Sequence, residues 1–335
     1  MKHKIYYIAL LVLVVAMAVK HFASDRKQFY TNAGTVWTTE FHITYEANKD
    51  LSDSIKRVLD CVDSAANVYS DESLVSRFNA EGTVMTDNIL LRLMDISRRV
   101  NKESQGAFDP TVMPLVKAWK KARTDSTMLS QQQVDSLLLA VGTDKVKISD
   151  GKLTKQNPTT QLDFSAVAKG YACDAVGLML ERNGVTNYLV EIGGEVVAHG
   201  VNNRGAKWHV SVDLPTDQNT EISHESATII AIDSAAVATS GNYRQFDTVD
   251  GRRITHIINP VTGMAEQSDL LSVTIVAPDC ATADAWTTAC MVLGTERVMT
   301  MMQNRTDLGV MTISTDKNSN YVVWSNKTFA ALIVK

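Results

Sequence analysis

The dipeptide Gly193-Gly194 separates two strand-like runs, residues 187–192 and 195–199. A two-residue glycine loop readily takes the positive backbone φ of a tight turn, so the two runs form a hairpin with antiparallel strands. Further strand-like runs follow at 208–212, 228–232, 254–258, 271–276, 310–314 and 321–324, and one helix interrupts them at 281–293, stopped by Gly294. Consecutive strands joined by short turns place the chain in the α+β class, with mixed or antiparallel sheets and packed helices, rather than among doubly wound α/β proteins.

The first half reads as mainly helical. After a strand at 41–45, residues 51–69 carry Leu51, Ile55, Val58, Leu59 and Val62 near helical spacing. Thr86 or Asp87 caps a second helix that runs through Val100, with Gly106 beyond it. Ser130 and Gln133 form a capping box for a third, which continues to Val141 and stops at Gly142. A fourth spans 168–182 and closes near Gly184.

The N-terminus differs from the rest. Lys2 and Lys4 precede an uncharged run over 5–19, and Lys20 follows it. A positive start and an apolar segment of this length mark residues 1–24 as a signal peptide or an uncleaved membrane anchor, so the body is exported. No cysteine follows the run, which argues against a lipoprotein anchor. The net charge of −4 lacks the basic excess of a nucleic-acid binder. Cys61, Cys173, Cys280 and Cys290 match no zinc spacing and read as free thiols, mostly buried.

Several stretches carry groups suited to chemistry. In "APDCATADAWTTACMVLG", Asp279 caps a helix, and Asp284 and Thr288 lie four apart on one face. A carboxylate and a hydroxyl are hard oxygen ligands suited to Mg²⁺ or Ca²⁺, and near a helix start the acid also meets the positive end of the dipole. The same pair also reads as a first-turn acid and a packed threonine. In "RRITHIINPVTG", Ile254, His256 and Ile258 share one strand face ahead of a turn at 259–263. His256 has the pKa range of an acid–base catalyst, or is a hydrogen-bonded histidine at a sheet edge. "AVATSG" offers Thr239, Ser240 and Gly241 as phosphate donors or as an ordinary turn. "SQGAFDPTV" exposes Phe108 beside Asp109, to hold a planar ring and its polar edge, or staples Phe108 into the core. "DFSAVAKGYACD" puts Asp163 ahead of small residues and Lys169 in the first turn of a helix; helix-start N–H groups plus a lysine make an anion site. The alternative there is a tight turn capped by Asp163 or Ser165, and Asp174 reads as structural. Together these groups suit phosphoryl chemistry on a metal-bound diphosphate whose other end is aromatic.

The ordered set "DFSAVAKGYACD", "YLVEIGGEVVAHG", "ATSGNY", "HIINPVTG" and "SVTIVAPDCATADAWTTACMVLG" resembles the FAD:protein FMN transferases, the ApbE-like family. "VYSDESLVSRFN" and "GAFDPTV" fit its first half. The resemblance implies an ApbE-like, T-fold-like architecture in one flavin transferase domain over 34–335. It implies Mg²⁺-dependent transfer of FMN from FAD to a Ser or Thr hydroxyl of a target flavoprotein, such as a redox-complex subunit, with AMP released. It also implies a periplasmic setting, at the bacterial inner membrane or free of it. By motif match, Asp284, Thr288 and the carbonyl of Ala166 are the metal ligands. Tyr69, Ala107, Phe108, Asp109, Asp163, Lys169 and the backbone at Ile257 are the FAD contacts. His256 stands where the family carries its base, at the cofactor, and with Asp284 forms the catalytic pair. Two departures stand out. The family's Met-Gly-Thr signature appears as "VWTTEFHITY", with Trp37 near the Met position and Thr38 in place of Gly, so the motif match does not by itself assign the isoalloxazine contact of that segment. Ser165 and Ala166 stand where glycines are usual. Two rival activities use the same residues: hydrolysis of FAD to FMN and AMP with water as acceptor, and non-catalytic FAD binding.

Overall fold

The structure, a computed structural model, describes residue 7 and residues 27–215, 226–241, 246–249, 252–255, 257–265, 269–318 and 320–334. His256 and, Tyr7 apart, the segment at 1–24 lie outside the described residues. The chain opens with strands β1 (Gln28–Val36) and β2 (Thr39–Ala47), then α1 (Ser52–Ala66), α2 (Leu74–Glu81), β3 (Thr83–Met85), α3 (Asn88–Glu103), α4 (Met113–Thr124) and α5 (Gln131–Leu138). Next come β4 (Val146–Ser149), β5 (Lys152–Lys155), α6 (Ala168–Arg182), β6 (Tyr188–Ile192), β7 (Glu195–His199), β8 (Trp208–Asp213), β9 (Ser226–Ile232) and β10 (Ala235–Gly241). It ends with β11 (Phe246–Val249), β12 (Arg252–Thr255), β13 (Leu270–Ala277), α7 (Cys280–Leu293), α8 (Thr295–Met302), β14 (Gly309–Thr315), β15 (Tyr321–Ser325) and α9 (Lys327–Ala330).

Eight strands make the main sheet, in the order β1-β2-β6-β7-β10-β13-β14-β15, and every neighbouring pair is antiparallel. Gly193 and Gly194, at φ of 61° and 96°, close the β6–β7 hairpin as their lack of a side chain permits. The α+β reading therefore holds.

Strand alternation divides the two faces. On β7, Val196 and Ala198 join Trp208, Ile230, Met311 and Phe329 on one side. Val197 turns the other way, toward α1 and α6, and Glu195 shares its parity. That second face is covered by α1, α6 and α7, which also pack on one another. Ile43, Tyr45, Ile55, Leu59, Val176 and Val190 form its core there. The functional elements meet on this helix-covered face.

Several sequence expectations shift at the edges of elements. α1 stops at Ala66 instead of continuing to Tyr69, because Asn67 turns the chain, with its Oδ1 accepting from Tyr69 N–H at 2.9 Å. The capping box of Ser130 and Gln133 is present. α5 nevertheless ends at Leu138, since Ala140 and Val141 bond back three residues in a tightened last turn. The strand expected over 254–258 ends at Thr255 among the described residues; Ile258 instead bridges Ala265 and buries against Leu115 and Trp119. The thiols are free, with Cys61 exposed and the other three buried. No described helix is long and apolar enough to cross a membrane.

Candidate active site

Helix α6 begins at Ala168, and its third residue, Gly170, lies against the start of α7. A Cβ on Gly170 would stand 2.3 Å from the Cys280 carbonyl oxygen and 2.8 Å from Ala281 N. Only glycine permits this approach, because the opposing atoms are backbone and cannot rotate away. The approach lets the Gly170 N–H donate to Asp284 Oδ2 at 3.0 Å. As the third residue of α6, Gly170 carries an N–H with no carbonyl to bond within its own helix, and the Asp284 carboxylate takes that role. Ala166 lies before the N-cap of α6, Val167, so its carbonyl stands outside that helix's hydrogen-bond ladder.

Asp284 sits one turn inside α7 rather than in its first turn. Its charge is therefore met less by the helix dipole than by Gly170 N–H and Lys169. Burial pushes its pKa up, and Lys169 and the Gly170 N–H pull the other way. Thr288 lies one turn further along the same face, half-buried. The neighbouring Thr287 points inward, bonding Ser240 Oγ at 2.8 Å and the Asp284 carbonyl at 2.7 Å. Among the described residues no group of three or more His, Cys, Asp and Glu side chains is poised for a metal. The donors here are one carboxylate, one hydroxyl and one carbonyl, an all-oxygen set that suits a hard cation.

Lys169 forms an ion pair of 2.5 Å with Glu195 Oε1. Burial pushes its pKa down, but Asp284 and then Glu195 outweigh this and hold the proton on the ammonium. Glu195 is 3% exposed, and burial followed by Asp284 pushes its pKa upward. Sequence reading passed over Glu195. Its one signal was an acid on the helix-side parity of the hairpin, shared with apolar Val190, Ile192 and Val197.

The other face of Lys169 opens on a cavity of about 480 Å³, lined by Trp37, Thr38, Ala66, Asn67, Tyr69 and Ser165 among others. Tyr69 is 83% exposed at this cavity, held there by the Asn67 turn. Trp37 and Thr38 form the two-residue turn between β1 and β2, both with positive φ, at 50° and 63°. Left-handed backbone in two non-glycine residues is strained and persists only where surroundings enforce it. Asp63 supplies that enforcement, accepting from Trp37 Nε1 at 2.6 Å. Trp37 and Thr38 line this cavity although they replace Met-Gly.

The remaining expected residues divide. Asp163 is half-buried near the start of α6, with its Oδ1 accepting from Ser165 N–H at 2.8 Å, and its own N–H bonds Pro110 O at 2.7 Å. That bond ties the 107–109 loop to the α6 entry. Within the loop, Phe108 is buried in the core, so of its two readings the staple into the core holds and the exposed ring does not. Its apolar surface is worth more against the α3 side chains than in water. The Asp109 carboxylate accepts from Thr111 N–H and Oγ1 and from Asn101 Nδ2. What Ala107, Phe108 and Asp109 can offer a ligand is chiefly backbone. Val261 stands against Gly106, bringing the turn after Ile257 close to this loop. Ile257 packs at the edge of the same core. Thr239 and Ser240, read as phosphate donors, bond Thr274 and Thr287 instead.

Asp174 is structural. Its two oxygens accept the first N–H groups of α7, from Cys280 at 2.8 Å and Ala281 at 2.9 Å, so one acid of α6 caps another helix. Burial pushes its pKa up to about 7 against these two donors. The folded protein thus holds this proton more tightly than the unfolded chain, whose Asp titrates at about 3.9. The stabilisation is complete below that value and is lost as pH rises through about 7. Urea titrations from pH 4 to pH 8 should show this fall in stability, and Asp174→Asn should flatten it; an unchanged slope would refute the assignment.

Fold and site together define a class: an α+β protein with an aromatic-rimmed cavity on one side of a lysine and a buried acid on the other. The chain belongs to the ApbE family, whose sequence profile matches residues 34–312. The chain is 30% identical over 311 residues to the FAD:protein FMN transferase of Escherichia coli (strain K12), covering 90% of this chain and 87% of that one. It is 31% identical over 302 residues to the FAD:protein FMN transferase of Vibrio cholerae serotype O1, covering 87% and 89%. Among solved structures, the flavin transferase ApbE from Vibrio cholerae superposes with a TM-score of 0.79 at 30% identity, over 92% of this chain and all of that one. The apo flavinyl transferase ApbE of Pseudomonas stutzeri gives 0.81 at 27% identity, over 91% and 97%.

Proposed function

We propose that the chain transfers the FMN portion of FAD to a Ser or Thr hydroxyl of a target flavoprotein, with Mg²⁺ at the diphosphate and AMP as leaving group. FMN transfer from FAD to a protein is the activity its relatives are named for. The observation that carries the finer reading is the buried Asp284 carboxylate, held by the Gly170 N–H against the start of α6, within a few residues of the Ala166 carbonyl in sequence. Asp284, Thr288 and the Ala166 carbonyl would hold the cation, which when bound offsets diphosphate charge and orients the phosphorus for attack. Lys169 adds a fixed positive charge at the mouth of the ring cavity, where Tyr69, Trp37 and Thr38 would take the isoalloxazine. Asp163, Ile257 and the 107–109 loop contribute backbone and carboxylate contacts to the rest of FAD. At the reacting centre a bond forms between the acceptor oxygen and the FMN-side phosphorus. The bond from that phosphorus to the AMP phosphate breaks, and AMP departs with the bridging oxygen. His256 would take the hydroxyl proton. The lysines and apolar run of residues 1–24 support an exported, periplasmic body, which cell fractionation tests.

Incubating the chain with FAD, Mg²⁺ and a candidate acceptor flavoprotein tests the reading. In-gel flavin fluorescence of the acceptor with stoichiometric AMP supports transfer; AMP and free FMN without labelled acceptor would mean hydrolysis, and bound FAD without AMP a carrier. The cavity assignment has its own test. Aromatic stacking on a planar base is worth ~1–3 kcal/mol, so Trp37→Ala should weaken FAD binding about tenfold or more. Flavin fluorescence titration reads this directly, and unaltered affinity would remove Trp37 from the ring site.

A further inference from the structure

We propose that Glu195 is a positioning residue that holds the Lys169 ammonium away from Asp284, so that this carboxylate stays open to a divalent cation. The proposal rests on the reading of Asp284 as a cation ligand, and it concerns a residue outside that ligand set.

Three charged side chains share the helix-covered face of the sheet: Lys169 from α6, Asp284 from α7 and Glu195 from β7. The lysine feels both acids, yet its hydrogen-bonded partner is Glu195, at 2.5 Å, and the hydrogen bond recorded for Asp284 is from Gly170 N–H. The hairpin geometry explains the choice. Glu195 directly follows the Gly193-Gly194 turn, and strand parity sends its side chain under α6. Its backbone carbonyl is engaged by Cys173 Sγ at 3.3 Å, one helical turn beyond Lys169, which fixes its height against α6. Glu195 Oε2 is buried with no hydrogen-bond partner. A carboxylate oxygen left unpaired in the interior costs about 1–3 kcal/mol, so a purely structural role would favour an amide or an apolar side chain here. The charge itself is what the site uses. Without it, the ammonium has one remaining acid, Asp284, and pairing there would occupy the oxygen that a cation needs.

The charge count makes the proposal testable. Lys169, Glu195 and Asp284 sum to one negative charge when all are ionised. Glu195→Gln brings the sum to zero and turns the lysine toward Asp284. Lys169→Met with Glu195→Gln restores one negative charge and removes the competitor. Mn²⁺ serves as the probe, titrated calorimetrically into the full chain without FAD, so the readout is independent of turnover. One charge within a few ångström of a divalent ion is worth more than ~1.4 kcal/mol even at high effective dielectric, so Glu195→Gln should weaken Mn²⁺ binding about tenfold or more. The double variant should return to within about threefold of the wild type, a charge-sum expectation. Glu195→Asp, which keeps the charge on a shorter arm, should fall between wild type and Glu195→Gln. Wild-type Mn²⁺ affinity in Glu195→Gln would overturn the proposal, as would a double variant as weak as that single one. Asp284→Asn distinguishes the two levels: if it binds Mn²⁺ like the wild type, the ligand assignment falls. If it loses binding while Glu195→Gln does not, only the role of Glu195 falls.

Discussion

Asp284→Asn is expected to abolish FMN transfer and AMP release together, by about a thousandfold or more, the scale of losing a buried electrostatic group at a reacting phosphate. The substitution keeps size and shape, and its amide oxygen can still accept the Gly170 N–H now given to Oδ2 at 3.0 Å. What it removes is the only acid in the proposed donor set of Asp284, Thr288 and the Ala166 carbonyl. Stability should not suffer. Burial already disfavours the Asp284 charge, and the variant leaves Lys169 with one counter-ion, Glu195. The expected result is therefore a folded protein with an unchanged or raised Tm and no AMP by chromatography. Stripping divalent cations with EDTA should have the same effect on the wild type and be reversed by Mg²⁺. Undiminished AMP release by Asp284→Asn would sink the metal assignment.

Gly170→Ala has the largest effect expected on the fold. Its Cβ would meet Cys280 O at 2.3 Å, Cys280 C at 2.6 Å and Ala281 N at 2.8 Å. A flexible side chain could swing aside, but these atoms belong to the first turn of α7, which Asp174 clamps through the same two residues. The helices must separate or α7 must shift. Overpacking of this kind costs about 1–3 kcal/mol and more where backbone must move, so a loss near 3 kcal/mol is expected by urea denaturation. The shift would also lengthen the Gly170–Asp284 bond, so activity should fall further than the lost folded fraction explains. A Tm within a degree or so of the wild type would show that the contact is looser than described.

These two residues separate what local sequence carries from what packing decides. Helix α6 at 168–182, the capping box at Ser130, the glycine hairpin and the stop at Gly294 were all legible, because each depends on side chains within a few residues of one another. The pairing of Asp284 with Thr288 was legible for the same reason, since helical spacing alone puts them on one face. The α+β class followed from short strands and tight turns.

Long-range contact decided the rest. The role of Gly170 is set by the Cys280 backbone 110 positions away, with its N–H turned to Asp284. Sequence left Phe108 as either exposed beside an acid or stapled inward, since whether an aromatic ring in a loop faces solvent depends on the core beside it, and here the core takes it. Glu195 had no partner in its own neighbourhood of sequence, and only strand parity in the assembled sheet brings it under Lys169. Sequence by itself determined the elements, the family resemblance and the ligand types. Tertiary structure alone decided which charges meet, because the energy of a buried charge is set by what surrounds it in space rather than along the chain.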